Sequence, residues 1–204
     1  MSESFTFDTK LNDYKKIGLS VSGGIDSALL LYYLLKSDIS LTCYTMVDLS
    51  NKINNNIEAA KYVVNLMETK TSRSTLGHIF QDFTITTNKD KRLNMREYYK
   101  SLIDAETIDC LILGTTQDLS EITEPSYNSQ RDKSKLERSE WDTVNNVYRP
   151  FLKKDKSWIK TCCDSCGLTK ELVSNTMSCV SMNKTAPCKD CLWCAEKYAV
   201  FSSY

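Results

Sequence analysis

The sequence predicts an α/β fold, in which an open, mostly parallel sheet carries helices on both of its faces. Three observations lead to this prediction. Short β-prone runs alternate with longer segments of helical periodicity along the first half of the chain. A tight glycine turn joins the first of these runs to the first helix. The helical segments are long enough to serve as the crossovers that parallel neighbouring strands require.

Each element follows from its local pattern. The strands are short, mostly apolar runs such as KIGLSV and IDCLIL, and the second of these ends at Gly114. Between 55 and 68, apolar residues recur at the spacing of one helix face. Asp155 is a suitable N-cap for a later helix, and Gly167 is a suitable stop for it. The predicted strands are 16–21, 39–47, 78–85 and 108–113, and the predicted helices are 28–36, 55–68, 91–106 and 156–165.

Residues 117–146 interrupt this regular alternation. They are polar and charged and show no clean periodicity. A long segment of this kind is either a solvated surface insertion or a lid over a site. We therefore predict one α/β domain over 1–160 that carries this insertion, followed by a helical C-terminal segment over 161–204.

Composition limits the classes of function. The chain has 204 residues, with 26 Lys and Arg against 26 Asp and Glu, so we expect no general attraction to nucleic acid. No apolar run approaches the roughly 20 residues of a membrane span, and the first residues lack the apolar stretch of an export signal. We expect a cytoplasmic protein without nucleic-acid or membrane partners. His78 is the only histidine, which excludes a mechanism built on a histidine pair within one chain.

The glycine turn has the sequence SGGIDS over Ser22–Ser27, between the first strand and the first helix. A helix N-terminus presents unpaired backbone N–H groups and the positive end of the helix dipole. Glycines let the backbone approach an anion closely, and two serine hydroxyls add donors. Asp26 would repel a phosphate unless a cation bridged them, which indicates Mg²⁺ together with a nucleotide. The turn therefore predicts a phosphate site at the carboxyl edge of the sheet.

Cysteines are concentrated at the end of the chain, where seven of nine follow residue 160. The odd total argues against a disulfide framework. Four of them have the spacing C-x8-C-x2-C-x2-C, whose short turns direct thiolates toward one tetrahedral ion. Four thiolates without a nearby histidine favour a structural Zn²⁺ site, with an iron–sulfur cluster as the alternative. The four are Cys179, Cys188, Cys191 and Cys194.

A rival ligand set would combine the pair Cys163 and Cys166 with the pair Cys188 and Cys191. We weigh against it because the first pair falls on the predicted helix that ends at Gly167, where cysteine commonly packs as a small hydrophobic residue. The two remaining early cysteines, Cys43 and Cys110, lie within apolar predicted strands and are expected in the core.

The string SGGIDS, in its strand–turn–helix context, resembles the PP-loop of the N-type ATP pyrophosphatases. Near the other end, TMSC at 176–179 and PCKDCLWC at 187–194 resemble the zinc-binding segments of the 7-cyano-7-deazaguanine synthases. The segment from Pro150 to Lys156 resembles that family's proline-led strand before a lysine at a helix start. The resemblance covers both ends of the chain and implies an adenine nucleotide alpha hydrolase-like fold.

The resemblance implies an ATP-dependent C–N ligase that converts 7-carboxy-7-deazaguanine and ammonia to the nitrile 7-cyano-7-deazaguanine through adenylated intermediates. It also implies a homodimer. Asp26 would help to hold Mg²⁺, and Lys156 would contact phosphate. Arg92 or Arg96 would meet the carboxylate of the acid, and Asp118 would bind its guanine-like edge. The residues implied for ATP binding are Ser20, Val21, Ser22, Gly23, Gly24, Ile25, Asp26, Ser27, Ala28 and Gly114.

The sequence leaves three other functional hypotheses open. A related ligase would stop at the amide. A PP-loop enzyme that modifies tRNA would use the terminal cysteines as sulfur carriers, and it should show a basic surface. A nucleotide-sensing subunit would keep the loop without turnover, so ATP consumption separates it from the enzymes.

Overall fold

A computed structural model describes residues 5–49, 55–83, 88–120, 122, 127, 137–179 and 186–204, without the side chains of 55 and 88–93. The strands are β1 (Ile17–Ser20), β2 (Leu41–Asp48), β3 (Gly77–Phe83), β4 (Cys110–Leu113), β5 (Trp141–Asp142) and β6 (Val147–Tyr148). The helices are α1 (Ile25–Lys36), α2 (Asn55–Thr71), α3 (Asn88–Asp104), α4 (Lys156–Ser165), α5 (Thr169–Asn175) and α6 (Leu192–Phe201), and a 3-10 helix over Thr9–Asp13 precedes β1.

The six strands form one sheet in the order β3-β2-β1-β4-β6-β5. Every pair of neighbours is parallel except β5 and β6. The predicted mostly parallel α/β sheet is therefore confirmed. Chain order reverses direction between β1 and β4, and in such sheets ligands bind outside the carboxyl ends of the strands at this point.

Side chains alternate between the two faces of the sheet, because successive residues of a strand point to opposite sides. On one face, Leu19 and Cys43 join a buried cluster with Leu30 of α1 and Ile159 of α4. On the other face, Tyr44, Leu111 and Val147 pack with Tyr99 of α3. Helices cover both faces, as predicted, and Cys43 and Cys110 are both completely buried.

The late helix begins and ends as its sequence indicates. The Asp155 side chain accepts a hydrogen bond from the Trp158 N–H at 3.0 Å, which makes Asp155 the N-cap of α4. Gly167 has φ +68° directly after the C-cap, a conformation that glycine adopts without steric cost.

Part of the polar segment 117–146 lies within the described residues, namely 117–120, 122, 127 and 137–146. Leu119 and Ile122 are buried against Leu192 of α6. The far end of the segment forms β5 and extends the sheet. Both described ends are thus packed into the fold, and the predicted solvated insertion or lid lies otherwise outside the described residues. Among the helices described, none is long and apolar enough to cross a membrane.

Candidate nucleotide and metal sites

The loop between β1 and α1 is tightly enclosed. Gly23 has φ +78°, and a Cβ at this position would lie 2.8 Å from the Ala59 Cβ and 3.0 Å from the Ala60 nitrogen of α2. Glycine is required here for two reasons, the left-handed backbone and the contact with a neighbouring helix. The close packing fixes the loop at the carboxyl edge of the sheet.

Gly23→Ala is expected to cost about 2 kcal/mol of stability, which corresponds to roughly 4–8 °C in Tm for a chain of this size. The same change at Gly77 is the matched control, since nothing lies within 4 Å of a Cβ added there. Thermal unfolding of the two variants measures the difference. Equal Tm values would contradict the tight packing of Gly23.

The N-terminus of α1 is open to an anion. Gly24 is the N-cap, and no side chain caps the helix. The Ser27 hydroxyl donates to the Gly24 carbonyl at 3.0 Å and accepts from the Ser22 N–H at 3.3 Å. The serines thus organise the loop internally and leave the first N–H groups of the helix without a side-chain cap, as at helix termini that bind phosphate.

Asp26 and Lys156 form an ion pair at this helix terminus. The Lys156 Nζ lies 2.6 Å from both carboxylate oxygens of Asp26, although the residues are 130 positions apart. The Lys156 side chain is 6% exposed and the Asp26 side chain is 21% exposed. Thr116 lies 3.5 Å from the same carboxylate through its hydroxyl. The structure therefore brings together the two residues to which the sequence resemblance gives catalytic roles, Asp26 for Mg²⁺ and Lys156 for phosphate.

Gly114 lets β4 approach the same helix terminus. A Cβ at this position would lie 3.2 Å from the Ser27 nitrogen and 3.3 Å from the Asp26 carbonyl carbon. Any larger residue would have to displace backbone at the start of α1. Gly114 thereby sets the distance between the segment after β4 and the glycine loop.

The side chains of four predicted ATP-binding residues have little opportunity to contact a nucleotide. Val21, Ile25 and Ala28 have buried side chains. The Val21 N–H donates to the Tyr44 carbonyl, and its carbonyl accepts from the Thr45 hydroxyl. Ser20 accepts a hydrogen bond from the Tyr99 hydroxyl at 2.8 Å. These residues shape the site, and the N–H groups at the start of α1 are its clearest phosphate donors.

Helix α6 holds the two segments that flank the glycine loop. The buried ammonium of Lys197, 1% exposed, donates to the carbonyls of Val173 and Thr176 at 2.9 and 2.8 Å. The next residue, Met177, donates its N–H to the Gly23 carbonyl at 3.0 Å. Beside it, Glu196 accepts the Leu119 N–H at 2.9 Å. The sequence does not predict roles for Glu196 and Lys197, and their only signal is two adjacent charges inside the apolar helix LWCAEKYAVF.

Lys197→Met is expected to weaken pyrophosphate binding about tenfold, because Thr176 and Met177 lose the buried ammonium that holds them beside Gly23. Lys160→Met, at an exposed lysine of α4 paired with Asp164, is the control. Calorimetric titration with pyrophosphate measures the affinity. If Lys197→Met binds pyrophosphate as tightly as the control, α6 does not position the loop.

Two of the predicted substrate residues, Arg96 and Asp118, do not line the same cavity. Arg96 is exposed and lines a cavity of about 810 Å³ beside α3. Asp118 lies in the segment after β4 and is not among the residues that line this cavity. Arg92 lies in α3, and its side chain is outside the described part of the structure.

His78 has a structural environment. Its Nε2 lies 2.8 Å from the Thr45 hydroxyl, which also donates to the Val21 carbonyl. Burial lowers the pKa of the imidazole, which favours its neutral form. His78 thus has a hydrogen-bond partner within the sheet.

The four predicted metal ligands lie together. The sulfur atoms of Cys179, Cys188, Cys191 and Cys194 are all within 4.8 Å of one another. The Cys188 and Cys194 sulfurs are 3.9 Å apart, close to the roughly 3.8 Å that a tetrahedral Zn–S distance of about 2.3 Å requires. The cluster fits a Zn²⁺ ion. The rival set is not formed, since Cys163 is buried in the main core instead.

The cluster is built on the start of α6. Cys191 is the N-cap of this helix, and Cys194 lies in its first turn. Burial raises the pKa of the Cys188 thiol, but hydrogen bonds from the Asp190 and Cys191 backbone and from neighbouring thiols outweigh it and bring the pKa to about 7, whereas burial and the neighbouring thiols raise the pKa of Cys194. A thiolate at neutral pH is the form that binds metal.

Comparison with known proteins identifies the fold. No family model matches the chain, and no curated protein sequence matches it. The structure of NMN synthetase from Francisella tularensis is similar over 96% of this chain and 81% of that one, with a TM-score of 0.57 and 10% identity. The NH3-dependent NAD synthetase from Campylobacter jejuni has a TM-score of 0.49 at 15% identity, over 81% of this chain and 70% of that one. The chain therefore has the α/β fold found in NMN synthetase, with a four-cysteine cluster that could bind a metal.

Proposed function

We propose that this protein is an ATP-dependent C–N ligase of the PP-loop type. In this proposal it adenylates the carboxylate of a small heterocyclic acid and transfers the acyl group to ammonia. The observation that carries the proposal is the contact between Asp26 and Lys156 at the uncapped N-terminus of α1. The carboxylate of Asp26 could bind a cation, and the ammonium of Lys156 and the uncapped N–H groups of α1 could bind phosphate. Together these are the groups that bind a nucleoside triphosphate with its metal.

The acid that we propose is 7-carboxy-7-deazaguanine, on the basis of the sequence resemblance. Its carboxylate oxygen attacks the α-phosphorus of ATP, the bond to the β-phosphate oxygen breaks, and pyrophosphate leaves. Ammonia then attacks the acyl carbon, AMP leaves, and a proton is released to give the amide. A second ATP adenylates the amide oxygen with release of pyrophosphate and a proton, and loss of AMP and a second proton then leaves the nitrile.

The residues contribute mainly by positioning and electrostatics, which supply much of the rate in phosphate chemistry. The N–H groups at the start of α1 would bind the departing pyrophosphate. Lys156 would turn from Asp26 to phosphate when the nucleotide binds. Asp26 would then hold Mg²⁺, which supplies charge neutralisation at the phosphates.

The four cysteines would hold Zn²⁺ in a structural role. All four positions of a tetrahedral ion are filled by protein ligands, so no open position is left for a reacting group. Because these thiols lie together in one cluster, they suit a metal site better than the sulfur carrier of a tRNA-modifying enzyme. The fold shared with NMN synthetase gives further support to a synthetase.

A product assay tests the proposal. The protein is incubated with ATP, Mg²⁺, ammonium and 7-carboxy-7-deazaguanine, and nucleotide and base are followed by chromatography with mass detection. AMP with the nitrile is the expected result, and AMP with the amide alone would identify an amide-forming relative. Absence of acid-dependent AMP would overturn the proposal in favour of a tRNA substrate or a nucleotide-binding role without turnover.

A further inference from the structure

The cavity that Arg96 lines is on the α3 face of the sheet, and the sequence resemblance assigns a role to none of its other lining residues. It has a volume of about 810 Å³ and lies between α3, β4 and the hairpin of β5 and β6. Its apolar floor includes Leu111, Leu113 and Val147. This volume is within the range of small-molecule sites, roughly 300–1,000 Å³.

Three arginines line this cavity, Arg96, Arg138 and Arg149, and we call it the arginine cavity. The Arg149 Nε is buried and has no hydrogen-bond partner. Within the described residues, Arg96 has no ion pair. Burial, and then the proximity of Arg138, lower the pKa of the Arg149 guanidinium. Two neighbouring cations and an unused buried donor together favour an anion in the cavity.

Three acidic residues line the cavity, Asp104, Glu137 and Asp142, and two of them already have partners. Asp104 pairs with Lys100 of the same helix at 2.5 Å. Asp142 accepts hydrogen bonds from the Asn145 side chain at 3.0 and 2.9 Å and from its N–H at 3.1 Å. Asp142 also offsets part of the Arg149 charge. Asp104 and Asp142 therefore leave the Arg149 Nε–H without an acceptor.

Strand register places the arginine cavity next to the glycine loop. Ser20 of β1 pairs with Leu113 of β4, and Ile112 pairs with Tyr148 of β6. Arg149, the residue after Tyr148, therefore leaves the sheet level with Leu113 at the carboxyl edge. Two strand spacings separate Arg149 from Ser20, which is roughly 10 Å between Cα atoms. A ligand of modest size spans that distance.

We propose that the arginine cavity binds the carboxylate-bearing substrate, with Arg149 and Arg96 as the residues that hold its carboxylate. The substrate class is a planar organic acid whose apolar ring lies on Leu111, Leu113 and Val147. This inference rests on the proposed function, because it places the acid beside the site that would bind ATP. Arg149 and Arg96 are then the specificity-determining residues for the acid.

Calorimetric binding to the full chain tests this proposal. The probes are 7-carboxy-7-deazaguanine, nicotinate as a smaller planar acid, and 7-deazaguanine as the analogue without the carboxylate. We expect Arg149→Gln and Arg96→Gln to weaken binding of the acids at least about tenfold, while ATP affinity stays within about twofold. Arg73→Gln, at an exposed arginine that pairs with Asp38, is the control and should bind as wild type.

The outcomes separate this proposal from the proposed function. Acid binding that depends on Arg149 or Arg96 without any AMP formation would support the cavity and overturn the ligase. Acid-dependent AMP formation with an unchanged KM for the acid in both variants would support the ligase and overturn the cavity proposal. Arg96 is exposed, so Arg96→Gln decides the matter if Arg149→Gln fails to fold. Failure of both acids to bind wild type, or equally tight binding of 7-deazaguanine, would overturn the cavity proposal.

Discussion

Asp26→Asn should reduce acid-dependent AMP formation at least about 100-fold, the scale of losing one electrostatic contact to a transition state. The amide keeps the shape of the side chain but cannot neutralise a cation. It would weaken the hold on Mg²⁺, and it would leave Lys156 without the carboxylate that now accepts from it at 2.6 Å. AMP release under saturating ATP, measured by chromatography, gives the rate.

Asp38→Asn is the matched control, because it makes the same change at an exposed carboxylate. The double variant Asp26→Asn with Lys156→Met separates activity from stability. Breaking a buried pair costs roughly 3–5 kcal/mol, whereas removing both partners is often neutral. We expect the double variant to recover much of the lost stability but no activity. Full activity in Asp26→Asn would show that the phosphates bind elsewhere.

The features that the sequence predicted correctly are local ones. The alternation of strands and helices, the N-cap Asp155 and the stop at Gly167 each depend on a few consecutive residues. The glycine loop also belongs to this class, because Ser22–Ser27 combine the turn, the helix start and the hydroxyl groups in six positions. The cysteine cluster could be read from spacing because its last three members are separated by two residues each.

The features that were missed depend on contacts distant in sequence. Strands β5 and β6 have two residues each, too short to show an alternating pattern. Lysine is usually a surface residue. Lys197 is buried only because the end of α5 presents carbonyls that lack partners within their own helix and accept hydrogen bonds from its ammonium. Arg149 becomes part of a cavity only through the register of β6 against β4. No window of sequence contains such pairings.

Cys191→Ser should abolish binding of the proposed Zn²⁺ and destabilise the C-terminal region, with a fall in Tm of at least roughly 5 °C. Serine presents a hydroxyl in place of the thiolate that a closed zinc site requires. Cys166→Ser is the matched control, since Cys166 is a half-buried cysteine outside the cluster. Metal content by mass spectrometry and thermal unfolding give the two readouts. A metal-free Cys191→Ser protein of wild-type Tm would show that the cluster has no structural role.

The same variant should also weaken binding at the glycine loop, although the cluster does not touch phosphate. Cys191 caps α6, α6 carries Lys197, and Lys197 holds the carbonyl of Thr176 beside the residue that bonds to Gly23. Loss of metal therefore loosens the segment on which the loop rests, and we expect at least a tenfold loss of pyrophosphate affinity. Lys197→Met removes the contact between α6 and Thr176 but leaves the four cysteines intact. It should therefore lose pyrophosphate affinity while still binding metal. Tight pyrophosphate binding by metal-free Cys191→Ser would show that the two sites are independent.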